Sequence, residues 1–553
     1  MLVEPPTSAP SAAAPPSAAA HPSVPAPRTA APRTASAAVA VAAGGGAPAP
    51  AGYWRRLLPV LAVLAVVTRL PSFRHILWNP DEGFLAVQAR MLADGGELYE
   101  TVVDRKPPLL PWLYAAAFAV FGDESLRPLK VLAVLSQLLT ALVLAATARE
   151  RWGDRAGRTA GVLYLLVSIG LNPEDAQAAT FEIFMLPFTA AAVMYAGKGR
   201  WGAAGLAVAG AVLVKQTGGA VLVPVLWLLW RSSPRRSSPR RPAPSGPSAR
   251  GPSARGPSAR GPSGRGTYAR RAGPLRLGLA FALPLTAAAL LTDPSGFVFW
   301  TVTGSGAYAA FTGSELHVLS RGLANTALLG AACAGLVPPV VRVLRIARTG
   351  AADLWLWLAS SAAAVLLGLH FFGHYYLQLL PPLVLLATAA LQVLPRARLA
   401  TALLGSAGAC ALFLTWGLLA PRPELAHAVR LAAEVRHRTA PQERVLLWGM
   451  HPETYWLADR DPASRYLTAG LLTNYSGGRD GPQVGERYGV AGAWPVLVRE
   501  LHGSPPALIV DDSRGKPYAA ERLPTLRRLL ARYYRPLPDP VDGAVLYVRT
   551  TGG

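Results

Sequence analysis

Cysteine is almost missing from this chain. Cys333 and Cys410 are the only two, and both sit inside apolar runs. A disulfide framework and a thiolate metal site are thereby excluded. Charge is sparse as well: 15% of the 553 residues are charged against 52% hydrophobic, and mean hydropathy is positive. A soluble chain of this length is excluded, and the recurring uncharged runs require a bilayer. Acids number 31 against 54 lysines and arginines, a formal charge of +23. The arginines cluster in loops between apolar runs, so the surplus reads as membrane topology and not as a nucleic-acid partner. Residues 1–54, mostly Ala, Pro and Ser, lack the basic start and apolar centre of a signal peptide and read as a disordered cytoplasmic tail.

What remains is a multi-pass α-helical membrane protein. Arg55-Arg56 precede the first span, about Leu57 to Phe73, which puts the N-terminus inside and the following loop, 74–125, outside. Spans near 126–147 and 159–171 follow, and a fourth runs from the outer loop ending at Glu182 back to Lys198 and Arg200. Between Arg200 and Arg231, two short antiparallel helices turn near Lys215-Gln216-Thr217-Gly218-Gly219, where Lys215 reads as a polar turn residue in preference to a cavity group. Residues 231–273, rich in Ser, Pro, Arg and Gly, read as a disordered basic cytoplasmic loop. Phe297 to Trp300 and Tyr308 suit an interfacial outer segment, and later spans near 275–291, 323–341, 354–369, 376–394 and 399–419 bring the crossings to about eleven. Residues 421–553 therefore lie outside. They alternate helical patterns (424–437, 496–501, 520–533) with strand-like runs (444–448, 507–510, 544–548), which predicts a small extracytoplasmic α/β domain without a glycine-rich phosphate loop.

The stretch from Asn79 to Trp112 carries the densest chemistry. Asn79 suits an N-cap, Pro80 the first helical position, and Glu82 the capping-box site from which a carboxylate reaches back to the cap's own N–H. Phe84, Val87 and Met91 recur at helical spacing up to Gly95-Gly96, so a short amphipathic helix is predicted on the bilayer surface, with a second at 109–121. Asp81-Glu82 has two readings, acids favoured by the helix dipole or acids that do chemistry. Other outward groups are Asp104-Arg105-Lys106, Glu174-Asp175 with Glu182, and His370, His374, Tyr375, Tyr376 and Gln378. Carboxylates offer a general base and the basic groups a phosphate site, a set suited to transfer from a phosphorylated donor to a hydroxyl. A transporter would more often hold its ionisable groups near the bilayer midplane.

Asp81-Glu82 after the first span, Lys106-Pro107-Pro108-Leu109, Thr180-Phe181-Glu182 and the run Gly373 to Pro381 resemble signature segments of polyprenyl-phosphate-dependent glycosyltransferases of the GT-C superfamily. These are the relatives of the protein O-mannosyltransferases (glycosyltransferase family 39) and the lipid A aminoarabinose transferases. The resemblance covers roughly residues 55–420. It implies inverting transfer of a sugar from a polyprenyl-phosphate sugar to an extracytoplasmic acceptor in the cell envelope, a lipid, glycan or protein. Asp81 would deprotonate the acceptor and Glu82 assist it or hold the cap. Lys106 with Arg105 would neutralise the departing phosphate. Glu182 would orient donor or acceptor, with Asp104, Glu174 and Asp175 also substrate-facing. His374 and Tyr375 read either as donor-phosphate contacts or as ordinary interfacial residues. A divalent cation on Asp81, Glu82 and Glu182 is conceivable if they converge, but with a lysine available no metal is expected to be obligatory. The alternative reading is a transporter or flippase of lipid-linked sugar.

Overall fold

A computed structural model of the chain describes residues 51–233, 272–304, 313–345, 351–478 and 481–550. The N-terminal tail and the basic loop lie outside these residues except at their margins, as does Tyr308. In hydrocarbon every backbone N–H and C=O must be paired within its own segment, and the apolar runs are accordingly helical. They form α1 (Ala51–Thr68), α2 (Pro80–Ala93), α3 (Leu109–Phe121), α4 (Arg127–Trp152), α5 (Asp154–Val167), α6 (Phe181–Gly197), α7 (Trp201–Val214) and α8 (Leu222–Ser232). After the basic loop come α9 (Gly273–Leu290), α10 (Glu315–Ala332), α11 (Ala352–Leu366), α12 (Leu380–Val393) and α13 (Arg396–Leu419).

The 26 residues of α4 reach roughly 39 Å at 1.5 Å per residue, more than a hydrocarbon core of about 30 Å. Among the described residues, five helical stretches are long and apolar enough to cross a membrane, and 109–121, 181–197 and 201–214 are shorter apolar helices. The other expected spans are shorter or less apolar by that measure. The first stops at Thr68, followed by a 3₁₀ turn at Leu70–Phe73 with Pro71 near its start, and Gln216–Val221 winds as 3₁₀ before α8. Close helix packing uses small residues, as bilayer-embedded helices do. A side chain at Gly161 would meet both Cδ atoms of Leu61 at 3.1 Å.

Residues 421–550 supply α14 (Pro423–Arg438), β1 (Val445–Trp448), α15 (Glu453–Ala458), α16 (Ala493–Gly503), β2 (Leu508–Asp511), α17 (Pro524–Tyr533), β3 (Tyr534–Pro536) and β4 (Val545–Arg549). The sheet order is β1-β2-β4-β3. β1 and β2 are parallel, Val445 opposite Leu508, whereas β4 runs antiparallel to both of its neighbours, pairing Leu508 with Val548 and Tyr534 with Arg549. Every residue of β1 and β2 is buried, as continuous apolar strands require.

This C-terminal region does not stand apart from the helices. Among the described residues, the helices and the C-terminal region fall within one compact unit. The seam runs along α2, where a Cβ at Gly83 would lie 2.6 Å from Glu453 Cα. Arg90 pairs with Asp123 and, at 3.0 Å, with Asp459; Trp456 Nε1 donates to the Asp123 carbonyl at 2.8 Å. Consequently α2 is not a helix lying alone on the bilayer. Leu85, Ala86, Val87, Gln88 and Ala89 are all buried, more than the single face expected from Phe84, Val87 and Met91. It packs against both α3 and α15.

Candidate active site

Asn79 begins the site. Its Oδ1 accepts from Asp81 N at 2.9 Å, which caps α2 and leaves the Asp81 carboxylate on the first turn. Glu82 does not close onto the cap's own N–H. One carboxylate oxygen accepts from Trp78 N at 2.5 Å, the other from Ala179 N at 2.7 Å, and the residue is fully buried. Glu82 thus joins the first loop to the segment before α6, with both oxygens taken by backbone. The same segment is held from two further sides. Arg69, fully buried at the end of α1, donates to the carbonyls of Ala176, Gln177 and Ala178, and Tyr114 Oη donates to Ala179 O at 2.7 Å.

The downstream limb of the first loop returns to the same place. Tyr99, held at φ +73°, donates through its hydroxyl to Lys106 O at 3.0 Å. Gln216 Nε2 donates to Arg105 O at 2.6 Å and to Thr301 O at 3.1 Å. These contacts deliver the Lys106 ammonium to Asp81 Oδ2 at 3.2 Å and over the Phe181 ring at 4.1 Å. Both partners are about a quarter to a third exposed, so the pair faces open space. Burial would raise the Asp81 carboxyl, but Lys106, then His374 and Lys215, hold it below the ordinary aspartate range. Asp104 behaves oppositely. Burial pushes its carboxyl up more than Lys106 pulls it down, and the Asp81 charge adds to the rise. Asp104 also accepts from Gln88 Nε2 at 3.5 Å and from the amides of Arg105 and Lys106, which makes it the shaper of this turn.

Lys215, expected as a polar turn residue, is a member of the site. Its ammonium pairs with the buried Glu182 and lies 3.9 Å from the Tyr375 ring centroid. The reversal comes from α7 ending one residue earlier, where Lys215 turns extended (φ −156°, ψ 137°) and points inward. Glu182 Oε2 is buried with no hydrogen-bond partner. On the far rim His374 Nδ1 lies 2.7 Å from Asp175 Oδ1. Gly373 permits this approach, because a Cβ there would strike Asp175 and come within 2.9 Å of Asn325 Oδ1. The backbone just before it is strained, with Leu369 at φ +51° and Phe371 at φ +49°. Glu174 is turned away, pairing with Arg422 at 2.6 Å. His370 is buried, its carbonyl accepting from Arg321 at 3.1 Å.

Two lysines and three carboxylates, Asp81, Glu182 and Asp175, therefore share one end of the helical bundle. At the other end Arg151 pairs with Asp353 at 2.6 Å and Lys198 with Glu150 at 3.0 Å. Asp81, Glu82 and Glu182 do not converge on a point, each being committed to a different partner. Among the described residues no three His, Cys, Asp or Glu side chains take a metal-holding arrangement.

Residues 105–246 match the family of dolichyl-phosphate-mannose-protein mannosyltransferases. The fold is similar to ArnT from Cupriavidus metallidurans bound to undecaprenyl phosphate, at TM-score 0.54 and 15% identity over 91% of this chain and 99% of that one. The chain shares that protein's fold. The apo form of the same ArnT aligns at TM-score 0.57 and 15% identity, over 90% and 98% of the two chains. The archaeal oligosaccharyltransferase AglB from Archaeoglobus fulgidus, in complex with an inhibitory peptide and a dolichol phosphate, aligns at TM-score 0.51 and 13% identity, over 90% of this chain and 74% of that one. No curated protein sequence matches the chain. The candidate chemistry of this chain lies in the first loop and in the loops beside it.

Proposed function

We propose that this protein is a membrane glycosyltransferase that moves one sugar from a polyprenyl-phosphate sugar to an acceptor hydroxyl in the cell envelope, with inversion at the anomeric carbon. The observation that carries the reading is the 3.2 Å pair between Asp81 and Lys106, partly open and flanked by Glu182–Lys215. Asp81 takes the proton from the acceptor oxygen as that oxygen bonds to the anomeric carbon. The bond from that carbon to the lipid phosphate breaks on the opposite face, and the phosphate leaves as an anion held by Lys106, with Arg105, Lys215, His374 and Tyr375 around it. Lys106 also governs the timing. While it rests on Asp81 it keeps that carboxylate a weak base; once the lipid phosphate draws the ammonium away, Asp81 gains basicity where the proton is released.

Glu182, with one oxygen on Lys215 and the other buried without a partner, is suited to a sugar hydroxyl. Glu82, Asp104 and Glu174 belong to the frame that positions these groups. The lysines supply the positive charge that the leaving group needs, so no divalent cation is obligatory in this scheme. The N-terminus is cytoplasmic, and the site and the C-terminal region are extracytoplasmic.

In membranes given radiolabelled polyprenyl-phosphate sugar, Asp81→Asn should lower transfer by about 10²–10⁴-fold while donor binding persists. Transfer unchanged in that variant would remove Asp81 from the reaction. Donor crossing the bilayer without a glycosidic product would identify a flippase.

A further inference from the structure

Arg422 lies three residues beyond α13, where the membrane helices give way to the C-terminal region, and its side chain is only 6% exposed. Its guanidinium makes three contacts in the site's frame. Nη1 meets Glu174 Oε1 at 2.6 Å, Nη2 donates to the Trp78 carbonyl, and the plane lies 5.2 Å from the Trp78 ring centroid. Trp78 is fully buried, donates its indole N–H to Pro71 O at 3.1 Å, and gives its backbone N–H to Glu82. It is followed by the cap Asn79 and then, two residues on, by Asp81. Glu174 is followed by Asp175, the partner of His374. The Arg422 guanidinium thus touches the two segments that carry Asp81 and Asp175, from a position just before α14.

We propose that Arg422 is a positioning residue for the transfer reaction, holding Trp78 and Glu174 so that Asp81 stays on Lys106 and Asp175 on His374. The inference rests on Asp81 acting as the base. The titratable groups facing Arg422 are Glu174, Glu82, Glu453, Asp175 and His75, and the groups facing Asp81 are the cations Lys106, His374 and Lys215 together with Asp104 and Tyr114. Releasing Arg422 lets the Trp78–Asn79 segment shift, so Asp81 loses part of the cationic hold that keeps its carboxyl low. A residue that only stabilised the fold would change the amount of active protein and leave the pH profile in place.

The test compares the full-length wild type with Arg422→Gln, Arg422→Lys, Glu174→Gln and Asp81→Asn in detergent or nanodiscs, with folded protein quantified by size exclusion. Expected for Arg422→Gln are a 10- to 100-fold lower kcat, a donor KM within twofold of wild type, and an acid limb displaced upward by about one pH unit. Arg422→Lys should recover part of both effects. A folded Arg422→Gln with unchanged kcat and acid limb overturns the proposal, provided Asp81→Asn abolishes transfer. If Asp81→Asn leaves transfer intact, it is the catalytic reading that fails. Should Arg422→Gln not fold, Glu174→Gln, whose side chain is 48% exposed, carries the test: an upward-shifted acid limb supports the proposal and an unshifted one overturns it.

Discussion

At Asp81 the electrostatic surroundings matter more than the residue type. A carboxylate at the start of a helix is ordinary, and burial alone would favour its neutral form. The Lys106, His374 and Lys215 charges reverse that balance. Because the folded-state value is depressed, the stabilisation from this group is present above the unfolded value and lost as pH falls through the folded one. The acid limb of kcat/KM should accordingly lie below the ordinary aspartate range. In Lys106→Gln it should move upward, with kcat down by roughly 10²–10³-fold; an unmoved limb measured over pH 3–7 would separate Lys106 from Asp81. The cap was legible in the residues, because Asn79, Pro80 and Asp81 act within one turn. Lys215 was not. A lysine before Gln-Thr-Gly-Gly has the local composition of a turn, and its partner Glu182 is 33 positions away. Arg69 and Arg422 were hidden similarly, since each is bonded to backbone more than a hundred positions away, Arg69 fully buried and the Arg422 side chain only 6% exposed.

Among the elements, α2 carries the most consequence per residue. Its N-terminus holds Asp81, its body is packed on both sides, and Arg90 near its end is bound to Asp123 and Asp459. Replacing Asn79 with Ala removes the bond to Asp81 N and should cost about 1 kcal/mol, readable as a lower thermal midpoint in detergent together with reduced transfer. A midpoint equal to wild type would show that Glu82's two backbone bonds fix the helix start without Asn79. The amphipathic pattern in the sequence located this helix yet understated its burial. Periodicity reports how many faces are apolar, and α2 meets its C-terminal neighbour through glycine and polar contacts that a hydrophobic pattern does not count. The strands of the C-terminal sheet were easier to read, since β1 and β2 are short uninterrupted apolar runs.

For the whole molecule, the loops that gather at the site end and the pairs Arg151–Asp353 and Lys198–Glu150 at the other define two faces. If the site end is extracytoplasmic, a cysteine placed at the exposed Glu100 or Arg499 should react with a membrane-impermeant maleimide in intact cells, and one at Arg155 only after permeabilisation. Cys333 and Cys410 are buried and should give little background. Labelling at Arg155 in intact cells would invert the topology and the function built on it. The helical membrane architecture could be anticipated from hydropathy and arginine placement. The union of membrane helices and C-terminal region could not, because it depends on contacts between residues hundreds of positions apart, such as Arg90 with Asp459. Gly83 makes that union exacting: a hydrogen atom is all the room α2 leaves for Glu453. Chimaeras that exchange the C-terminal region between relatives should therefore succeed only where donor and recipient agree on this one point of contact, however well the rest of the two halves match.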